Sequence, residues 1–246
     1  MKKLFDFKSF LKGWFIINKN VTSIKFVNSE SEKIFNLKEH ALFGISPFNS
    51  YYSEDNLKKL FSWALNNFKK ISVCIPDGAS TYTLQAIGYP KDKADRKTKR
   101  HDNNLRNKTI NALVANNLSE DEAKSKMVFF TDLAQNNKKY LEFCKLYEQM
   151  YENDKNFREG CLLTSKHVLS AKGNSACVDE RALNFAVKYF LAELPLYLNT
   201  PDILNVSSSL FVYKDLPTDF LNKIYNNGPF SSLLSLKQGC LAIQFD

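Results

Sequence analysis

The segment that decides the fold is residues 40–78, HALFGISPFNSYYSEDNLKKLFSWALNNFKKISVCIPDG. It opens on a short apolar run, typical of a buried strand, that ends at Ser46. Residues 54–68 then carry apolar side chains at helical spacing, and residues 71–75 form a second strand-like run before a Pro-Asp-Gly turn. Strand, helix and strand in this order predict parallel strands joined by a right-handed crossover. Ser46 then lies at the carboxyl end of a strand, where open α/β sheets bind ligands.

Other parts of the chain show the same two kinds of pattern. Strands are expected at residues 13–18, 127–130, 208–213 and 240–245, and helices over 80–117, 136–153 and 180–194. Pro195 is expected to end or kink the last helix, because a proline ring clashes with the carbonyl four residues earlier. The length and pattern predict one α/β domain over residues 1–246, with a mostly parallel central sheet flanked by helices.

Composition narrows the class of protein. The hydrophobic fraction of 44% is typical of a packed globular chain, and 34 Lys and Arg against 26 Asp and Glu favour a polyanionic partner. Charges interrupt the apolar residues near the start, and no run approaches a membrane span, so we expect no membrane association. An odd number of cysteines cannot all pair within one chain, which favours free thiols in the cytoplasm. The cysteines are Cys74, Cys144, Cys161, Cys177 and Cys240.

Several motifs of nucleotide and metal chemistry are missing from the sequence. It has no G-x-x-x-x-G-K-[ST], no G-x-G-x-x-G and no H-x-G-H, so ATP-driven activation is not expected. It has no C-x-x-C, and its three histidines have no metal-ligand spacing, so we expect no metal site and no cofactor. An enzyme of this composition would have to receive a substrate that is already activated.

Ser46 is a candidate nucleophile. Strand alternation directs Leu42, Gly44 and Ser46 to the same side, so Leu42 can line an apolar pocket that opens onto the serine. Glycine two residues before the serine leaves room for a substrate carbonyl. The alternative is an ordinary loop serine, since the second glycine of the hydrolase nucleophile elbow is absent.

A tyrosine and a carboxylate share one face of the helix expected at 180–194. Tyr189 and Glu193 are four residues apart, and Leu196 lies seven residues beyond Tyr189. Glu193 can hold a substrate α-ammonium there, although exposed Tyr and Glu pairs without a function are common on helices. In the strand near residue 211, alternation places Phe211 and Tyr213 together, as a further apolar wall and a further phenol.

Basic residues are concentrated in residues 91–108, which hold eight Lys and Arg against three Asp, a balance of +5 out of +8 for the chain. Four of them follow helical spacing and form a basic stripe: Lys93, Arg96, Lys97 and Arg100. Two interpretations stay open, contact with nucleic-acid phosphates and a solvated helix face. No aromatic RNA-recognition motif accompanies the stripe, so backbone contact is favoured over base recognition.

Two of these motifs together resemble the cyclodipeptide synthases, which join aminoacyl groups from two charged tRNAs into a diketopiperazine. They are GISPFNSY at residues 44–51 and YFLAELP at residues 189–195, and the resemblance extends from about residue 13 to the C-terminus. It implies a Rossmann-like fold related to tyrosyl- and tryptophanyl-tRNA synthetases, without ATP binding. It also implies that Ser46 accepts the first aminoacyl group and that Asn49 orders the serine loop. Tyr189 and Glu193 would bind the α-amino group, Glu193 would take part in proton transfer, and Tyr213 would position Ser46.

The resemblance also implies a pocket, a partner and a substrate preference. The first aminoacyl pocket would be lined by Leu42, Gly44, Cys74, Leu196 and Phe211, and Tyr140 would match a further active-site tyrosine of the family. The stripe Lys93, Arg96, Lys97 and Arg100 would guide the acceptor arm of aminoacyl-tRNA to a monomeric enzyme. Uncharged pocket residues favour Leu or Phe as the aminoacyl group. One departure is Lys214, since the family has His or Pro after the tyrosine that Tyr213 matches.

Two other functions compete with this hypothesis. The first is a non-catalytic tRNA-binding protein on a degenerate synthetase-like domain, with the basic stripe as its functional surface. The second is a serine hydrolase, which is less favoured because no histidine or aspartate stands in a motif for a triad partner.

Overall fold

A computed structural model of the chain describes residues 21–171 and 179–245. Within these residues the strands form one six-stranded sheet in the order β1-β6-β5-β2-β3-β4. Its strands are β1 Val21–Phe26, β2 His40–Gly44, β3 Lys70–Ile75, β4 Met127–Phe129, β5 Ser209–Tyr213 and β6 Gln238–Phe245. Every neighbouring pair is parallel except β1 with β6, which is antiparallel. The prediction of a mostly parallel sheet is confirmed.

Ten helices flank the sheet in the described part of the chain. They are α1 Ser29–Leu37, α2 Glu54–Asn67, α3 Ser80–Ala86, α4 Lys91–Val114, α5 Glu120–Ser125, α6 Phe130–Asn136, α7 Lys138–Asn153, α8 Lys155–Ala171, α9 Glu180–Leu204 and α10 Asp219–Tyr225, with a 3-10 turn at Ser231–Leu233. Among the helices described, none combines the length and the apolar character that a membrane span requires.

The unit β2–α2–β3 forms as the sequence predicts. The Ser53 side chain accepts a hydrogen bond from the Asn56 amide at 3.3 Å and so caps the start of α2. Strands β2 and β3 then pair in parallel, from His40 opposite Lys70 to Gly44 opposite Cys74. This register brings the carboxyl ends of the two strands to the same edge of the sheet.

Each face of the sheet is covered by its own layer of helices. Phe43, Val73 and Val212 belong to the core cluster that also contains the apolar residues of α2. Their strand neighbours Leu42 and Phe211 belong to a second cluster, shared with α7 and α9. Alternation along the strands produces this division, and the candidate pocket residues therefore lie on the α9 side.

Helix α9 corrects the prediction for Pro195. The helix passes Pro195 without a break, and a kink lies later, at Asn199 with φ −139° and ψ 25°, where two helical segments of Glu180–Leu204 meet. An interior proline costs about 3 kcal/mol of helix stability, but Leu194 and Leu196 on either side are fully buried. Burial of this segment against the sheet offsets the cost, so tertiary packing prevails over the local signal.

Some predicted elements have different bounds in the structure, and some observed elements were not predicted. The strand expected at residues 13–18 lies outside the described residues. The helical pattern over 80–117 divides into α3 and α4, because Pro90 intervenes and precedes the first residue of α4. Phe130 begins helix α6 and does not extend β4. Strand β1 and helices α1, α5, α6, α8 and α10 were not predicted. Strand β1 is an edge strand whose sequence VTSIKF mixes polar and apolar residues.

Candidate active site

The carboxyl ends of β2 and β5 bring Ser46 and Tyr213 together. Ser46 is the second residue after β2, and Tyr213 is the last residue of the neighbouring strand β5. Their side chains lie together at this edge of the sheet. Burial, with Glu193 nearby, raises the pKa of Tyr213 well above its usual value. The phenol is therefore neutral near pH 7, and it can orient the serine but is not a ready acceptor for its proton.

Glu193 lies near several buried or partly buried phenols and a buried thiol. Burial is the main cause that raises the pKa of each of these groups, and the Glu193 carboxylate raises each one further. They are Tyr52, Cys74, Tyr140, Tyr189, Tyr197 and Tyr213. Because these groups stay neutral, they do not balance the negative charge of the carboxylate. The site therefore favours a cation, such as a substrate ammonium.

Tyr189 and Tyr140 approach this centre from two helices. Tyr189 lies one turn before Glu193 on α9 and is only partly exposed, so the alternative of a solvent-exposed Tyr and Glu pair does not describe it. Tyr140, on α7, is buried, and its hydroxyl donates to the Ala192 carbonyl at 2.8 Å. Tyr140 thereby joins α7 to the turn of α9 that carries Glu193.

The predicted apolar lining residues are buried together in one cluster. Leu42, Leu196 and Phe211 are each 0% exposed, and they share a cluster with Cys74. Leu42 pairs with Phe211 across β2 and β5. The Phe211 ring lies against the ring of Tyr197, with centroids 4.0 Å apart.

Gly44 has a different role from the one that the sequence suggested. A Cβ at residue 44 would lie 2.6 Å from Phe211 Cζ and 3.4 Å from Tyr213 Cδ2. The expectation that this glycine leaves open room for a substrate is therefore wrong, because the Phe211 ring fills the space. Gly44 permits the close packing of Phe211 and Tyr213 over β2.

The serine loop has its own internal support. The Asn49 side-chain oxygen accepts a hydrogen bond from the Tyr51 amide at 3.0 Å, and the Asn49 carbonyl accepts one from Tyr52 at 3.2 Å. Phe48, in the left-handed region with φ 58°, donates its amide to His101 Nε2 at 3.1 Å. The rings of Phe48 and His101 lie 4.1 Å apart. These contacts tie the loop that carries Ser46 to helix α4.

Helix α4 carries the predicted basic stripe. Lys93, Arg96 and Arg100 are exposed, whereas Lys97 is partly covered and lies 4.9 Å from the centre of the Tyr89 ring. The opposite side of the helix is buried. His101 follows Arg100 directly, so the end of the basic stripe meets the serine loop.

Three residues of this region were not singled out from the sequence. Tyr52 stands in a loop without periodicity, Tyr197 lies beyond the proline that was expected to stop the helix, and His101 lies inside a run of charges. At the departure from the family pattern, Lys214 forms an ion pair with Asp215 at 2.8 Å.

Comparisons with known proteins agree on one family. The model of the family described as cyclodipeptide synthase matches residues 23–244. A cyclo(L-leucyl-L-leucyl) synthase of Bacillus subtilis is 35% identical over 217 residues, which cover 86% of this chain and 85% of that protein. The crystal structure of a cyclodipeptide synthase from Bacillus thermoamylovorans is similar with a TM-score of 0.83 at 31% identity, over 91% of this chain and 96% of that one. A Mycobacterium tuberculosis protein is similar with a TM-score of 0.78 at 27% identity, over 92% of this chain and 96% of that one. The structure of that protein relates cyclodipeptide synthetases to type I tRNA synthetases.

Proposed function

This chain belongs to the cyclodipeptide synthase family, and we propose that it takes both aminoacyl groups from charged tRNAs through a covalent ester on Ser46. The observation that carries the proposal is that the Ser46 and Tyr213 side chains meet at the ends of β2 and β5, close to the Glu193 carboxylate. The phenol orients the serine oxygen at the carboxyl end of a parallel strand, where such folds bind substrates. The carboxylate suits a substrate that brings a free α-ammonium group.

In the first step, Ser46 Oγ attacks the carbonyl carbon of an aminoacyl-tRNA. A new ester bond forms to Ser46, the bond from that carbon to the tRNA ribose oxygen breaks, and the serine proton passes to that ribose oxygen. Glu193 and Tyr189 hold the α-ammonium group while Tyr213 keeps Ser46 in position. The buried phenols stay protonated, so they serve as hydrogen-bonding groups throughout.

In the second step, the neutral amine on aminoacyl-Ser46 attacks the carbonyl carbon of a second aminoacyl-tRNA. A peptide bond forms, the ester bond from that carbon to the tRNA ribose oxygen breaks, and the proton that the nitrogen loses passes to that ribose oxygen. The attacking amine must first lose a proton, and Glu193 is the carboxylate close to this centre that can accept it. The free amine of the dipeptidyl ester then attacks the ester carbonyl, which closes the ring, releases the diketopiperazine and returns a proton to Ser46.

The basic stripe supports tRNA as the carrier of both substrates. Lys93, Arg96 and Arg100 face solvent on the helix that holds the serine loop through His101. Phosphates bound along the stripe would bring the acceptor end of the tRNA towards Ser46.

Leucine is the proposed aminoacyl group, with phenylalanine as the alternative partner in a mixed product. Leu42, Leu196 and Phe211 offer no charge or hydrogen bond to a substrate side chain, and burying an unpaired polar group costs about 1–3 kcal/mol. Phe211 occupies the space beside Gly44, so a branched aliphatic side chain fits better than an indole. The Bacillus subtilis relative is named for the cyclic dileucine product.

Intact-mass analysis of the protein with leucyl-tRNA tests this function. We expect a leucyl adduct and cyclo(Leu-Leu) from the wild-type chain, and neither from Ser46→Ala. Ser50→Ala is the matched control, because Ser50 is an exposed serine of the same loop, and this variant should keep both products. An adduct on Ser46→Ala would overturn the nucleophile assignment. Tight tRNA binding by the wild type without any adduct or diketopiperazine would favour the non-catalytic alternative.

A further inference from the structure

Tyr52 is a buried side chain beside the proposed site to which the reaction steps give no role. It is 4% exposed, and it follows the serine loop directly in the sequence. Its hydroxyl donates to the Gly44 carbonyl at 3.0 Å. The Lys214 backbone amide approaches the same oxygen. One phenol therefore joins the residue two before Ser46 to the residue that follows Tyr213.

This link lies where the regular pairing of β2 with β5 stops. The last registered pair of the two strands is Phe43 with Val212. Towards β3, the end of β2 is held by the Ile45 amide, which donates to the Cys74 carbonyl at 3.4 Å. Towards β5, Tyr52 supplies the connection through its hydroxyl, and its ring lies 6.2 Å from that of Tyr213.

We infer that Tyr52 is a positioning residue that sets the spacing between Ser46 and Tyr213 by joining the ends of β2 and β5. The inference rests on the proposed function, in which Ser46 is acylated while Tyr213 holds it. Small errors in the placement of reacting groups cost about 100-fold in rate when they reach about 1 Å. A connection one or two residues from each partner is well placed to prevent such errors.

The bonding of Tyr52 persists over the working range of pH. Burial raises the pKa of Tyr52 well above its usual value, and the neighbouring Tyr213 raises it further. The phenol therefore keeps the proton that it donates to Gly44. Phenylalanine at residue 52 would preserve the ring and remove only the oxygen, leaving the Gly44 carbonyl and the Lys214 amide without this partner.

The test compares Tyr52→Phe with Tyr51→Phe in single-turnover acylation of Ser46 by leucyl-tRNA. Tyr51 is a matched control, because its hydroxyl also donates to a backbone carbonyl, that of Ile243, at 3.1 Å, but on β6. We expect Tyr52→Phe to lower the saturating acylation rate by about 10- to 100-fold, with half-saturating tRNA concentration unchanged. Tyr51→Phe should stay within about twofold of wild type.

Three results would each overturn the inference. Tyr52→Phe could acylate at the wild-type rate, both variants could lose the same factor in rate, or Tyr52→Phe could change only the half-saturating tRNA concentration. Should Tyr52→Phe fail to fold by circular dichroism, Lys214→Pro removes the amide at the other end of the link, and Lys214→Ala is its control. A Lys214→Pro rate equal to that of Lys214→Ala would also overturn the inference. Failure of the proposed function looks different, because the wild type would then form no adduct that depends on Ser46.

Discussion

The Phe211 ring occupies the space that a side chain at Gly44 would need, with Phe211 Cζ only 2.6 Å from the position of an added Cβ. The two residues lie on adjacent parallel strands, at the edge where Ser46 and Tyr213 meet. The identity of residue 44 is thus coupled to that of residue 211, and through it to the shape of the pocket.

Gly44→Ala should destabilise the protein by about 1–3 kcal/mol, because the new methyl group overpacks the Phe211 ring. Phe211→Leu removes the ring atoms that clash, so the double variant should lose less stability than the sum of the single losses. Urea unfolding of the four proteins measures the coupling energy, which we expect to reach about 0.5–3 kcal/mol. Phe43→Leu is the control, since Phe43 lies on the opposite face of the sheet and should combine additively with Gly44→Ala.

Phe211→Ala should shift the product spectrum towards larger side chains. The substitution removes a fully buried ring that borders the proposed pocket, and it leaves a cavity that a phenylalanyl group can fill. With leucyl- and phenylalanyl-tRNA in competition, the ratio of Phe-containing to Leu-containing diketopiperazines should rise while total product falls. A wild-type enzyme that makes chiefly diketopiperazines of charged amino acids would contradict this pocket assignment.

Glu193→Gln should separate acylation from peptide bond formation. The amide keeps the size of the side chain but removes the charge that pairs with an ammonium and the oxygen that accepts its proton. We expect leucyl-Ser46 to form more slowly, because Glu193 also holds the first α-ammonium group, but to persist once formed, with diketopiperazine reduced by about 100-fold or more. Intact mass and product assays on the same samples distinguish the two steps. Glu148→Gln, an exposed carboxylate on α7, should behave as wild type, and normal product from Glu193→Gln would remove its proposed role.

The strand, helix and strand at residues 40–75 are predictable because their signals are local. The apolar periods, the Ser53 cap and the turn after Ile75 all agree with the observed elements. Strand β1 and the course of α9 past Pro195 are not predictable in this way. An edge strand of mixed composition has a weak pattern, and the proline is tolerated because packing around Leu194 and Leu196 outweighs it.

The same division holds for the site. The family resemblance implied that Glu193 and Tyr213 lie near Ser46, and the structure brings the three together. Tyr52 and His101 were missed, because their contacts depend on how distant segments meet. His101 reaches the serine loop across 53 residues of sequence, and no local pattern marks that contact.

Removal of the basic stripe should weaken tRNA binding and flatten its dependence on salt. The variant replaces Lys93, Arg96, Lys97 and Arg100 with alanine. Each lost phosphate contact should reduce the slope of log K against log salt by roughly 0.7 to 0.9. Fluorescence titration of labelled tRNA between low and moderate salt measures the slope. A control with the same charge change replaces four exposed lysines elsewhere: Lys33, Lys138, Lys145 and Lys166. Equal slopes for the two variants would favour the solvated-face interpretation of the stripe.

Two titratable groups, the buried His40 and the partly buried Asp102, should give the folding stability opposing dependences on pH. Burial, with the nearby Lys70, lowers the pKa of His40 to about 4, and its ring nitrogens lie 2.8 Å from Ser209 Oγ and 3.0 Å from Ser72 Oγ. Burial raises the pKa of Asp102 to about 6, although its carboxylate accepts hydrogen bonds from the Gly78 amide and Ser80.

The sign of each effect follows from which state binds the proton. Between about pH 6.5 and 4 the unfolded chain protonates His40 and the native chain does not. His40 therefore costs no stability above pH 6.5, and the free energy of unfolding decreases as the pH falls through this range. Between about pH 6 and 4 the native chain protonates Asp102 first, so its contribution to native stability grows as the pH falls. From pH 7 to 5 the His40 effect is about 2 kcal/mol, and that of Asp102 is smaller because its carboxylate is only partly buried.

Asp102→Asn should therefore steepen the loss of stability from pH 7 to pH 5, and His40→Gln should flatten or reverse it. The asparagine introduced by the first substitution has one acceptor oxygen, so it keeps one of the two hydrogen bonds, and it does not titrate. The lost bond lowers the stability by an amount that does not depend on pH, whereas the loss of the compensating protonation changes the slope. Urea unfolding of wild type and both variants at pH 7, 6 and 5 gives the three slopes. Because the comparison uses slopes, a constant loss of stability in either variant does not affect it. Indistinguishable slopes for the three proteins would show that neither side chain is held away from its ordinary pKa.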